Sequence, residues 1–317
     1  MQQRIQILAI LFVLQILLAV YLVWQQQQNG LENLQQNPFT LDAGDVTRIE
    51  IQSHENSLIL EKKGPQWQLP GYHQLPANPI KIEQALKHLN AIRLNWPIAN
   101  TAESAARFEV AADKFQRHIR FYRDATELTS FYMGTSPSFK KRHIRLPQEK
   151  EIYAVTLDSF DFSDQYKDWM DSGILQLKEE QLDKIKGPDY ELIKAAGKWN
   201  LPEGIKTSEK SVQTLLGVLD NLLALQVAES ETESILRSQQ AVLSLDVQTG
   251  GKTLNYAFYR LDEKAYVRSS AYAVVFSIGN HSLQQLEKID AAALTAQDTV
   301  DPVADERTAV EADVKLN

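Results

Sequence analysis

Cysteine does not occur anywhere in the 317 residues. Its absence removes disulfide bridges, thiolate nucleophiles, Cys-ligated metals and a lipid-modified cysteine anchor together. Positive charge is also in deficit: 33 Lys and Arg stand against 41 Asp and Glu, a formal net charge of -8. A nucleic-acid partner demands a concentrated basic face to neutralise phosphates, and none stands out, so no nucleic acid is expected. Short catalytic signatures are missing too. There is no His-Glu-x-x-His pair, no Gly-x-Gly-x-x-Gly turn and no phosphate loop. Gly134-Thr135-Ser136-Pro137 comes nearest to a nucleophile elbow, yet Pro137 lacks the backbone N–H that an oxyanion hole needs there. A protein without catalytic residues, metal or cofactor is expected.

One long apolar run is present, Ile7 to Trp24, interrupted by a single strongly polar side chain, Gln15. As a helix it extends about 27 Å, close to a hydrocarbon core of about 30 Å, with Tyr21 and Trp24 at the interfacial level. Arg4 and the free amine precede it, whereas Glu32, Asp42 and Asp45 follow it before the next basic residue, Arg48. That bias places the N-terminus in the cytoplasm and the bulk outside. A retained single-span anchor is the preferred reading. A cleaved signal peptide is the second, although Ala19-Val20-Tyr21 is a poor cleavage site. A buried helix of a soluble domain is the third.

The remainder reads as one unit written twice. Trp67-Gln68-Leu69-Pro70 returns as Trp199-Asn200-Leu201-Pro202, each after a Lys- and Gly-containing turn. Ile82, Leu86, Leu89 and Ile92 return as Val212, Leu216, Leu219 and Leu222. Glu103-Ser104 with Arg107 returns as Glu233-Ser234 with Arg237. In each copy, strands with period-two alternation lead into a helix opened by Asn78-Pro79 or Ser208, then a short helix and further strands. A helix with one apolar face must cover a sheet. The fold expected is α+β: an N-terminal transmembrane helix, then two tandem repeats of an antiparallel sheet packed on a helix. Residues 1–6 are assigned to the cytoplasm, 7–24 to the anchor and 25–44 to a polar Gln- and Asn-rich spacer. The first repeat takes 45–156, a junction 157–177, the second repeat 178–289, and a disordered acidic tail 290–317.

Four groups of residues are candidates for chemistry. Lys140, Lys141, Arg142 and Arg145 make the densest basic run and suit an anionic ligand or a partner; protection of a strand edge explains them equally well. Trp67, Leu69, Pro70, Trp199, Leu201 and Pro202 suit core anchors closing a hairpin, with ligand stacking as the rival reading. Asp158, Asp161, Asp164, Asp168 and Asp171 lack the ladder and central Gly of a calcium loop and read as a polar connector. His118 and His143 lie in predicted strands and could face each other across neighbouring ones, without a local metal motif.

With its single anchor, doubled unit, Trp-x-Leu-Pro segments and Tyr-Met-Gly-Thr-Ser-Pro at residues 132–137, the chain resembles the bacterial domain-of-unknown-function family 4340 over roughly residues 45–285. The resemblance implies a protein of the cell inner membrane with its bulk on the periplasmic side. It implies an accessory or scaffold role beside membrane protein subunits, such as those of an ABC-type transporter, and no catalytic residues. The competing class is an envelope polymer-binding protein or enzyme with a site between the two repeats.

Overall fold

The alternation Arg48-Ile49-Glu50-Ile51 puts both isoleucines on one side of a strand, and both are buried. The computed structural model describes residues 14–21 and 37–296. The expected cytoplasmic segment 1–6, most of the 7–24 span, spacer residues 25–36 and tail residues 297–317 lie outside the described residues. Residues 14–21 are helical (α1). Among the described residues, no helix is long and apolar enough to cross a membrane. The chain divides between Ile174 and Leu175 into two units.

The first unit is an eight-stranded antiparallel sheet with α2 (Pro79–Asn90) and α3 (Ala102–Arg107). Its strands are β1 (Arg48–Gln52), β2 (Ser57–Lys63), β3 (Gln66–Leu69), β4 (Leu75–Pro76), β5 (Arg117–Arg123), β6 (Thr126–Met133), β7 (Lys141–Arg145) and β8 (Tyr153–Thr156). Their order across the sheet is β4-β3-β2-β1-β5-β6-β7-β8. Asn78 caps α2 by accepting from the Ile80 and Lys81 amides, and Ile82, Ala85, Leu86 and Leu89 form its buried stripe. Thr101 caps α3 through the Ser104 amide. A second cluster, built from Ala105, Val110, Tyr132 and Ile152, accounts for the unbroken burial at the end of β6 where alternation is expected. Gly134 follows β6 because a Cβ there would lie 2.0 Å from the Phe108 carbonyl oxygen.

The second unit is an eight-stranded antiparallel sheet, β11-β10-β9-β13-β14-β15-β16-β12, in which the run from β11 to β16 repeats the run from β3 to β8, while β4 and β12 take opposite edges. Its strands are β9 (Leu182–Lys186), β10 (Glu191–Ala195), β11 (Lys198–Asn200), β12 (Gln226–Val227), β13 (Leu243–Thr249), β14 (Lys252–Leu261), β15 (Lys264–Ser269) and β16 (Val275–Ile278). The helices are α4 (Glu209–Asp220), α5 (Ser230–Ser238), α6 (Asn280–Leu286) and α7 (Ala291–Leu294). The sequence predicts a helix from Ser208 to Leu225; α4 ends at Asp220 instead, because the chain after Asn221 turns back to the sheet and the Leu225 amide bonds to the Ser277 carbonyl. Where β12 borders β16, the first unit has the single bridge Ala99–Ile152.

The structured units run past the boundaries expected from sequence, in the same way at both C-terminal ends. Residues 157–171 are not a solvated connector. Phe162 and Trp169 are fully buried, with Phe162 edge-on to Phe121 and Phe131. Met170 bridges Ala77, and the Asn78 amide bonds to the Trp169 carbonyl at 2.7 Å. The second unit closes identically: Thr295 bridges Thr207, and the Ser208 amide bonds to the Leu294 carbonyl at 2.7 Å. Residues 290–296, expected in a disordered tail, therefore carry α7 and the buried Leu294. At the other end, residues 37–44 are not a free spacer. Phe39 is buried against Phe131, and Asn90 both donates to the Leu41 carbonyl and accepts from its amide.

Candidate functional site

The Asn78 cap starts α2 so that its apolar stripe faces the core and Lys81 and His88 fall on the flank. Two loops complete a cleft beside that flank. Residues 157–161 leave β8 as turns and bring Asp158, Phe160 and Asp161. Lys140 sits in a left-handed turn at φ 54 and is tied to the same segment by the bond from the Leu157 amide to its carbonyl, at 3.1 Å. Together they enclose a cleft of about 620 Å³, within the range of small-ligand sites.

His88 Nδ1 lies 2.8 Å from Asp161 Oδ1, and Asp161 Oδ2 accepts from the Asp158 amide at 3.0 Å. Asp158 Oδ1 accepts from the Phe160 amide at 3.1 Å. The Lys81 ammonium lies 4.9 Å over the Trp169 ring. Burial lowers its pKa, opposed by the attraction of Asp168 and then Asp161. The one hydroxyl among the lining residues, Thr156, has no hydrogen bond to His88. An imidazole–carboxylate pair beside two ammonium groups and apolar walls is equipped to hold a ligand.

The basic run does not stay together. Lys140 lines this cleft, and Lys141 is exposed. Arg142 Nη1 lies 3.5 Å from Gln116 Oε1 and from the Gly134 carbonyl oxygen, at a smaller hollow of about 290 Å³. Arg145 is turned inward: Nε donates to the Val110 carbonyl at 2.7 Å and Nη1 to the Glu149 carbonyl at 2.9 Å, with the guanidinium over the Tyr132 ring. Strand-edge protection is not their role, because β7 lies between β6 and β8. Trp67 and Trp199 are each only 6 % exposed and anchor the third strand of each sheet. Their carbonyls accept from the Ala77 amide and the Thr207 hydroxyl respectively. Leu69 and Leu201 are buried, while Pro70 and Pro202 are exposed at the turns that follow.

The aspartates likewise have separate partners. Asp164 faces Arg117 and Asn56, Asp168 accepts from Ser163 at 2.5 Å, and Asp171 accepts from the Gly173 amide. Among the described residues, no group of three or more His, Asp or Glu is placed to hold a metal ion. His118 and His143 do not face each other, because β6 lies between their strands and His118 opposes Tyr132.

His118 itself packs on the Tyr132 ring, and its Nε2 is buried without a hydrogen-bond partner among the described residues. Burial, reinforced by Arg120, lowers its pKa from 6.5 to about 4, against weaker pulls from Glu127 and Glu50. The unfolded chain thus takes up a proton that the folded unit refuses. Stability is full above about pH 6.5 and falls as the pH drops toward about 4, where the folded ring also charges. His118→Gln is expected to flatten that slope. Urea midpoints of both proteins, measured across the window, would show the difference; parallel curves would refute the assignment.

Sequence reading missed Lys81, His88 and Phe160 as site residues. A signal was available: the aligned helix of the second copy carries Ser211 and Val218 where the first has Lys81 and His88.

One family model, described as Domain of unknown function (DUF4340), matches residues 67–241, more than half of the chain and a narrower stretch than the resemblance covers. No curated protein and no solved structure matches the chain.

Proposed function

The chain belongs to the DUF4340 family, and on that footing we propose that it is a non-enzymatic accessory or scaffold protein, anchored in the cell inner membrane. In this reading its two α+β units stand on the periplasmic side and dock onto membrane protein subunits. The observation that carries the reading is α1. All eight of its residues are exposed, and Leu14, Ile16, Leu17, Leu18, Val20 and Tyr21 retain 47–66 % of their surface. An apolar helix that leaves so much area uncovered by its own chain is suited to lipid or a partner helix around it. α1 lies within the longer apolar run 7–24, whose flanking charges favour an N-in orientation. The cleft beside α2 supports a binding role over bond-making, and the resemblance adds the expected company, an ABC-type transporter.

Sodium carbonate extraction is expected to leave the full chain in the membrane pellet, and gentle detergent is expected to release it together with other inner-membrane subunits. Release by carbonate would remove the anchor. Recovery from gentle detergent as a lone monomer would remove the scaffold role.

A further inference from the structure

We propose that the cleft beside α2 is the docking site for a short amphipathic helix of another membrane-complex subunit. That helix brings two apolar side chains three or four residues apart, with a carboxylate beside them. The proposal rests on the scaffold reading and names its contact.

The second unit supplies the template. Ile82, Leu86 and Leu89 of α2 are answered in α4 by Val212, Leu216 and Leu219, all buried. Between them the copies part: Ala85 is answered by Leu215 and His88 by Val218. Leu215 and Val218 are buried, and α6 packs on α4 with Leu283 and Leu286 turned from solvent. In the first unit β8 is followed by turns instead of a helix; Ala85 stays buried, while His88 lines the open cleft. One unit covers this flank with a helix, and the other covers it with the 157–161 loop and leaves a cleft beside His88.

The rim and the charges specify the occupant further. Ile80, Phe160 and, next to Lys140, Phe139 keep 63 %, 69 % and 86 % of their surface. Large apolar side chains gathered at one opening mark an interaction site. Lys140 occupies the left-handed position that Glu263 holds in the second unit, φ 54 against φ 63. Its ammonium lies 5.4 Å over the Phe139 ring and forms no ion pair among the described residues. Asp158 and Asp161 are already held by backbone amides and His88. The complementary group is therefore a carboxylate against Lys140, with aliphatic side chains against Ile80 and Phe160. A lipid surface or a glycan offers anions or hydroxyls there, but not paired aliphatic knobs at helical spacing.

The test uses the full-length chain in cells, with a photoreactive amino acid at Phe160 and, as a control, at Ile193 of the second unit. Mass spectrometry of the Phe160 adduct is expected to identify a segment of a membrane subunit with two apolar residues three or four apart and a neighbouring acid. The His88→Val variant, which borrows the second unit's residue at this place, is expected to cut that yield about tenfold, an affinity loss of about 1.4 kcal/mol. Lys140→Glu, on an exposed turn that tolerates Glu in the second unit, is expected to weaken it similarly and guards against misfolding of the first variant. An adduct with lipid, glycan or a second copy, no adduct, or a yield unchanged by both variants overturns the cleft assignment. Wild-type chain that co-purifies with no subunit overturns the scaffold reading as well. Co-purification that survives both variants overturns the cleft alone.

Discussion

Trp169→Ala is expected to lower the unfolding free energy of the first unit by about 3–5 kcal/mol, the range for deleting a large buried aromatic. The indole is fully buried, and its Nε1 donates to the Ser163 carbonyl at 2.7 Å. Lys81 lies over the ring, and the residue's own carbonyl receives the Asn78 amide where α2 begins. Removal thus opens a cavity, strands a buried carbonyl and loosens the helix entrance. Trp169→Phe separates these effects, keeping most of the volume while losing the N–H, at a cost of about 1–3 kcal/mol. Urea denaturation followed by a probe confined to the first unit makes the measurement, since two units need not unfold in one step. If residues 157–171 were a solvated connector, both substitutions would fall within about 0.5 kcal/mol of wild type. That outcome would refute the closure described for this unit.

A chain ended after Ile289 is expected to lose the second unit's closure, whereas one ended after Ala296 is expected to keep it. The seven residues between include Leu294, fully buried, whose carbonyl receives the Ser208 amide at the N-cap of α4. They also include Thr295 opposite Thr207, and the bond from the Ala296 amide to the Lys206 carbonyl at 2.9 Å. Loss of one buried Leu side chain costs about 2–5 kcal/mol, and the unpaired amide at the cap adds about 1 kcal/mol. For a unit of this size the midpoint should drop by roughly 10 °C or more. Differential scanning of the two truncations decides the matter. Equal midpoints would show that residues 290–296 contribute nothing to the fold.

The parts of the molecule legible in sequence are those with a period or a cap. β1 alternates Ile49 and Ile51 with polar residues, and α2 starts at the residue after the Asn78 cap. The strand order shared by β3 to β8 and β11 to β16 follows the Trp-x-Leu-Pro recurrence. Illegible parts share a different property. Phe39, Phe162, Trp169 and Leu294 are buried from loops, one-turn helices or chain ends, where successive side chains follow no fixed period. A run containing Asp158, Asp161, Asp164, Asp168 and Asp171 reads as solvated by composition. Its aspartates instead cap turns and meet His88, Arg117 and Ser163, leaving the aromatics between them to enter the core.

The cleft was hidden for a related reason. It joins residues 78–91, 140 and 156–161, three segments that only the sheet order brings side by side. Lys140 and Arg145 are near neighbours in sequence, yet one reaches this cleft while the other binds the carbonyls of Val110 and Glu149. Composition, periodicity and capping act within a few residues, so the doubled α+β plan, with the strands and helices that repeat it, is legible in the chain. Which loops close each sheet, and which charges meet at α2, depends on distant segments competing for the same buried space, and that competition is resolved in the folded molecule alone.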